Sequence, residues 1–189
     1  LTDKNTARQR IKVSNNKKVK NPYNHQIEAL KCLDKFYNVD KRTKGILVFP
    51  TSGGKTYSAV TWLLENVINK NGKVLWIAHT HNLLDDAMND FKSNCNKKNL
   101  PARSEIVINV ISGSSFHNSP SQITSEDDIV IASKDCLING LKYLDQNFLN
   151  QNENIFIVID EAHHAVSKTY KTLIDHIQNK TKSLRILGL

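Results

Sequence analysis

No apolar run in this 189-residue chain approaches the roughly 20 residues that a membrane-spanning helix needs, so the sequence excludes an integral membrane segment. The first residues are polar and basic, with neither an apolar h-region nor a small-residue cleavage site, and no secretory signal is visible. Cysteine is sparse. Cys32, Cys95 and Cys136 lie far apart with no CxxC pair, which excludes a disulfide-stapled mini-protein and suits a reducing compartment, expected here to be the cytoplasm. Internal repeats are lacking, and no second domain is visible. What is present is globular material. At 39% hydrophobic and 23% charged, the chain can bury one core and is neither a disordered segment nor a collagen-like fibre. Because it begins at Leu1 rather than Met, it reads as a piece of something longer.

Positive charge is unevenly spread. The formal net charge is +8, and seven basic residues (Lys4, Arg8, Arg10, Lys12, Lys17, Lys18 and Lys20) stand against Asp3 in the first twenty positions. Residues 1–20 therefore form a basic N-terminal arm ahead of a domain at 21–189. Such an arm either touches phosphates or an acidic partner, or is a solvated, flexible terminus.

From Pro22 onward the apolar pattern alternates between two periods. Helical spacing covers His25–Val39, Gly54–Ile68, Leu83–Phe91, Lys134–Leu144 and Val166–Ile177. Short continuous apolar runs at Gly45–Phe49, Lys73–Ala78, Ile106–Ile111, Ile129–Ala132, Ile155–Ile159 and Leu184–Leu189 predict strands buried on both faces. The stretch Ser112–Asp128, rich in Ser, Asn and Pro, predicts a long surface loop. Strands alternating with helices imply an α/β fold with a mostly parallel central sheet between two helical layers.

Two sites on this framework carry chemistry. Directly after the GILVF run comes Pro50-Thr51-Ser52-Gly53-Gly54-Lys55-Thr56, followed by a helix. A strand that feeds a glycine-rich turn at a helix N-terminus turns backbone N–H groups toward a phosphate. In a P-loop, Thr51, Ser52, Gly53 and Gly54 would cradle the phosphates, Lys55 would neutralise them and the Thr56 hydroxyl would ligate Mg²⁺. Phe49 stands where the strict pattern asks for Gly, so an incidental Gly-rich turn is the alternative. The second site answers it. The run IFIVI delivers Asp160 and Glu161 to the end of another buried strand, the crevice where such sheets bind ligands. Asp160 would hold Mg²⁺, and Glu161 would orient and deprotonate an attacking water.

PTSGGKT followed by VIDEAHH resembles the Walker A and Walker B (DEAH-box) motifs of the superfamily 2 DEAD/DEAH-box helicases. NPYNHQIEAL at Asn21–Leu30 is similar to the Q-type motif of that family, in which Gln26 would read the adenine edge with Tyr23 or His25 against the base. LWIAHTHNLLDDA at Leu75–Ala87 resembles motif Ia, and IVIASKDCL at Ile129–Leu137 resembles the next backbone-contacting motif. Thr80 and His81 stand where many relatives carry Arg, and Ser133 where Thr is common. DEAHHAVSKTYKTLI looks closest to the type III restriction (Res subunit) and DNA-repair helicase branch.

The resemblance implies a RecA-like P-loop NTPase domain that binds ATP and Mg²⁺, with DNA favoured over RNA as partner. Lys55, Asp160 and Glu161 would be catalytic, and His79, Thr80 and Ser133 would contact nucleic acid. His163 would couple the two sites. The family usually continues past Leu189 into motif III and a second RecA-like lobe with arginine fingers, worth roughly 10³–10⁵ in turnover. A fragment that lacks that lobe is expected to hydrolyse almost nothing. Two other functions compete: a P-loop NTPase acting on a small molecule, and a binding module with a vestigial site. An RNA helicase is the third alternative.

Other residues carry less. His79 and His81 in an HxH pattern, and the pair His163-His164, have no third ligand at zinc spacing. Trp62 and Trp76 read as packing, and Cys136 has no acid–base partner in the pattern.

Overall fold

The computed structural model describes residues 7–15, 21–40, 43–50, 53–152, 154–163, 167–181 and 183–189. In chain order the elements are β1 (Arg8–Lys12), α1 (Asn24–Asp34), β2 (Lys44–Ile46), α2 (Lys55–Asn66), β3 (Lys73–Ala78), α3 (His81–Asn94) and β4 (Glu105–Ile111). They continue with β5 (Ile129–Ser133), α4 (Lys134–Asn139), α5 (Leu141–Leu144), β6 (Asn154–Ile159), α6 (Lys168–Lys180) and β7 (Ser183–Gly188). The strands form one sheet in the order β1-β4-β5-β3-β6-β7-β2. Every pairing is parallel except that of β1 with β4.

Alternate residues of the same strand fill two cores. Val74, Trp76 and Ala78 of β3 join Phe156 and Val158 of β6 beneath α1, α2 and α3. Leu75 and Ile77 join Ile155, Ile157 and Ile159 against α4, α5 and α6 on the other face. Burial on both faces is the reason these strands read as unbroken apolar runs. The result is the expected three-layer α/β arrangement. Its parallel strands place the residues that follow β2, β3, β4, β5 and β6 along one rim of the sheet.

Three expectations need correction. First, the GILVF run is not buried on both faces: β2 covers only Lys44–Ile46 and, among the described residues, pairs with β7 and no second strand. Ile46 and Val48 are 73% and 80% exposed as a consequence, whereas Leu47 points into the core. Second, the reading of residues 1–20 as a solvated terminus fails for Arg8–Lys12, which form an antiparallel strand on β4. The cause lies far along the chain: Arg8 pairs with Asp127 at 2.8 Å, and Arg10 pairs with Glu105 and Glu126. Third, the helix expected over Lys134–Leu144 breaks at Gly140, where a Cβ would lie 2.2 Å from Cβ of Pro120. The described residues contain no helix long and apolar enough to cross a membrane.

Candidate active site

The glycine-rich turn is fixed from one side by α1. Gly54 caps α2 with φ 79, a left-handed conformation that favours glycine, and a Cβ there would sit 2.2 Å from Nε2 of Gln26. The Gly53 N–H donates to the Pro50 carbonyl at 3.0 Å. The Gly53 carbonyl in turn accepts from Nε2 of Gln26 (3.1 Å) and from Nε2 of His25 (2.9 Å). Gln26 is buried, and its Oε1 accepts from the Tyr23 N–H at 2.9 Å. One amide N–H and one lone pair of Gln26 thus remain for a ligand edge. Thr51 and Ser52, expected to supply backbone donors, lie outside the described residues. Lys55 and Thr56 open α2, where unpaired N–H groups and the helix dipole favour an anion.

Beside this turn lies a cleft of about 690 Å³. Tyr23, stacked on His25 with ring centroids 5.8 Å apart, forms one wall together with Gln26. Gly53, Gly54 and Tyr57 form its floor, and α3 closes it with Asp90. The shape and the flat aromatic wall suit a nucleoside attached to phosphates at the turn.

The acidic pair leaves a strand that is locked in place. The Asp160 N–H donates to the Ile77 carbonyl on β3 at 2.8 Å. One carboxylate oxygen of Asp160 accepts from the indole Nε1–H of Trp76 (3.3 Å), and the other accepts from the Glu161 N–H (3.0 Å). Burial pushes the Asp160 carboxyl above the usual carboxylate range. The two hydrogen bonds oppose this, as does the positive charge of Lys55, while the Glu161 carboxylate adds to it. Ile46 of β2 and Ile159 of β6 are both level with Gly188 of β7, so the turn and the acids leave the same end of the sheet although their motifs are about a hundred residues apart. Glu161 has φ 54, left-handed backbone that is costly for a residue with a Cβ, and its Oε2 meets Nδ1 of His163 at 3.2 Å. Oxygen donors from Asp160 and the Thr56 hydroxyl, with a desolvated carboxylate among them, suit a hard cation such as Mg²⁺.

A second cleft of about 540 Å³ opens farther along the same rim, where His79 follows β3, Ser112 follows β4 and Ser133 ends β5. Thr80 caps α3 by accepting from the Leu83 N–H, and Ser133 caps α4 by accepting from the Cys136 N–H, each at 3.4 Å. Both hydroxyls keep their own proton to donate to an anionic oxygen. His81 lies parallel to His117 with centroids 5.6 Å apart.

A family model described as "Type III restriction enzyme, res subunit" matches residues 19–189. The chain belongs to this family. One relative of this res-family chain is the "Putative ATP-dependent helicase IRC3" of Saccharomyces cerevisiae, 36% identical over 61 residues, 32% of this chain and 8% of IRC3. Among solved structures, the res-family chain is similar to a nuclease-deletion mutant of the Type ISP restriction-modification enzyme LlaGI in complex with a DNA substrate mimic. There the TM-score is 0.60 at 16% identity, over 90% of this chain and 17% of that one. It is likewise similar to a hypothetical ATP-dependent RNA helicase from Sulfolobus tokodaii, with TM-score 0.61 and 18% identity over 90% of this chain and 46% of that one. The chain thus spans less than half the length of each of these proteins. Its fold is that of RecA-like helicase domains.

Within this res-family fold, Tyr23, Gln26, Gly53 and Gly54 meet in one cleft, and Lys55 opens α2 beside it. His79 and Ser133 line the other cleft, while His163 lies beside Glu161. Sequence reasoning missed the Trp76 bond to Asp160 and the Tyr57 and Asp90 walls. Tyr57 was accessible to it, since it follows Thr56 on the first turn of α2. Trp76 was read as packing, and it does pack edge-on against Phe91 at 5.6 Å. Its indole N–H has a second use that no sequence pattern signals.

Proposed function

We propose that this chain is the ATP-binding motor domain of a nucleic-acid-dependent ATPase, a helicase or translocase that acts on DNA. The observation that carries the reading is that the phosphate-binding turn and the buried Asp160 leave the same end of one parallel sheet, with Ile46 of β2 and Ile159 of β6 both level with Gly188 of β7. In this reading PTSGGKT is a Walker A motif and Asp160-Glu161-Ala162-His163 a DEAH box. The nucleoside lies against Tyr23 with the free edge of Gln26 turned to its base. Lys55 neutralises the outer phosphates, and Thr56 and Asp160 hold Mg²⁺, which when bound draws charge from the phosphate oxygens. Glu161, on its left-handed backbone, orients and deprotonates water, and His163 steadies its carboxylate.

His79, Thr80 and Ser133 donate to backbone phosphates of the polymer. Strand β3 carries both ends of the coupling, because Trp76 bonds Asp160 and the strand continues into His79 and Thr80. A second RecA-like lobe in the same protein would complete the nucleotide site, so the domain at 21–189 alone turns over little. DNA is preferred because the family is that of a restriction subunit and one fold neighbour was solved with a DNA substrate mimic. The test is ATPase of the full-length protein with single-stranded DNA, duplex DNA or RNA, with Lys55→Ala as control. Stimulation by DNA that Lys55→Ala abolishes supports the motor and identifies its track. Robust hydrolysis indifferent to every polymer replaces it with a small-molecule NTPase.

A further inference from the structure

One loop holds out an aromatic ring for which neither core has a use. Phe116 is 82% exposed, more than any other large hydrophobic side chain among the described residues. The loop that carries it is bonded to itself. The N–H groups of Ser112 and Gly113 both donate to the Asn118 carbonyl at 3.2 Å, and the His117 N–H donates to the Ser114 carbonyl at 3.2 Å. Gly113 has φ 70, which lets the chain turn sharply after β4. His117 fastens the loop to α3: its Nε2 meets Oδ1 of Asp85 at 3.0 Å, and its Nδ1 meets Oγ of Ser112 at 2.7 Å. Between loop and helix lies a cleft of about 540 Å³, with Phe116 and His117 on the loop side and His81, Met88, Asn89 and Lys92 on α3.

We propose that this cleft captures an unstacked nucleobase of a single strand, with Phe116 as its stacking platform. The proposal rests on the nucleic-acid reading above and adds to it that the chain reads bases as well as phosphates. Every base offers a π-face to an aromatic ring, whatever the sequence. The nearly buried Met88 adds apolar surface to the lining, and the exposed Asn89 amide both donates and accepts at a base edge. Lys92 brings positive charge to the cleft for the phosphates, and Asp85, held by His117, offsets part of it. The placement agrees with the strand ends, because His81 lines both this cleft and the one at His79 and Ser133. In a duplex the bases stay stacked on one another, so the cleft fills only where a strand is open.

The test is equilibrium binding of the full-length protein to a labelled oligothymidine, to an abasic strand of equal length and to a duplex. Wild-type protein is expected to bind the base-bearing strand about 10- to 100-fold more tightly than the abasic one, the usual worth of a stacked base. Phe116→Ala should bring the first affinity down to the second and leave abasic and duplex binding unchanged. Phe116→Trp should restore it, with an exposed indole whose emission the base-bearing strand quenches beyond any change seen in wild type; Trp62 and Trp76 emit too, but are buried away from contact with the strand. If Phe116→Ala binds oligothymidine like wild type, or loses affinity equally for the abasic strand, the base-capture proposal falls and the phosphate reading survives. If wild-type protein binds no polymer, the nucleic-acid reading itself is overturned.

Discussion

The two halves of the proposed nucleotide site are held by unequal amounts of protein. Asp160 and Glu161 leave β6, which is paired on both edges, with β3 and β7, and contributes side chains to both cores. The glycine-rich turn follows β2, which is paired with β7 over three residues and exposes Ile46, with Val48 exposed just beyond its end. A strand with two neighbours dictates where the residue after it points. A strand with one needs help, and here α1 supplies it, through the Gln26 and His25 bonds to the Gly53 carbonyl. The acids are positioned by the sheet and the turn by a helix that also lines the nucleotide cleft. In such an arrangement, a ligand against Tyr23 and Gln26 bears directly on the turn that Gln26 holds, and not on the strand that carries the acids.

The largest effects should come from breaking the chemistry on either half. Glu161→Gln is expected to lower turnover by roughly 10²–10⁴ while nucleotide affinity persists, since it removes a general base. Lys55→Ala should remove both, because the turn then lacks its fixed positive charge. Steady-state ATPase alongside binding of a fluorescent nucleotide separates the two patterns. Equal loss of affinity in both variants would mean that the halves do not divide the work this way.

Next in size is a stability contrast between the strands. Ile157→Ala on β6 should cost about 2–5 kcal/mol, the usual range for a fully buried large-to-small change. Ile46→Ala on β2 should fall within about 0.5 kcal/mol. Urea unfolding of both variants reads the difference, and similar costs would contradict the edge position of β2. Gly54→Ala comes after these. Its left-handed backbone penalises a Cβ by about 1–3 kcal/mol, and the new methyl displaces Gln26. Nucleotide affinity should therefore fall with Gly54→Ala even where the protein remains folded, as judged by circular dichroism and nucleotide titration.

The same contrast separates what the sequence made legible from what it did not. That a glycine turn at Gly53-Gly54 opens a helix, and that Asp160 follows a buried strand, was readable because glycine turns and apolar runs leave local patterns. The parallel α/β sheet was readable because two-face burial leaves runs such as KVLWIA and IFIVI. The exposure of GILVF was not, because an apolar run reports the preference of a strand and not its number of neighbours. Strand β1 was invisible for the opposite reason: RQRIK has a single apolar residue, and its partners Asp127, Glu105 and Glu126 lie about a hundred residues away. Gly140 carried no signal of its contact with Pro120, which depends on where the Ser112–Asp128 loop folds back. Such long-range contacts decide edges, breaks and walls, and a local pattern does not contain them.

The smallest effect tests the sheet-held half from within. Burial disfavours the charged form of Asp160, the residue proposed to hold the cation, so its carboxyl is harder to ionise in the folded protein than in the unfolded chain. For such a group the folded state gains a proton relative to the unfolded one. Its contribution to stability is greatest below the ordinary Asp value and is lost as pH rises through the raised one. Asp160→Asn removes that dependence, and its single amide oxygen can accept from the Trp76 N–H or the Glu161 N–H but not from both. The melting difference between the ligand-free variant and wild type should therefore move in the variant's favour as the pH rises from the ordinary Asp range to neutral, while hydrolysis stays abolished throughout. A difference that stays constant with pH, or moves the other way, would mean that the sheet does not hold the Asp160 charge at a cost.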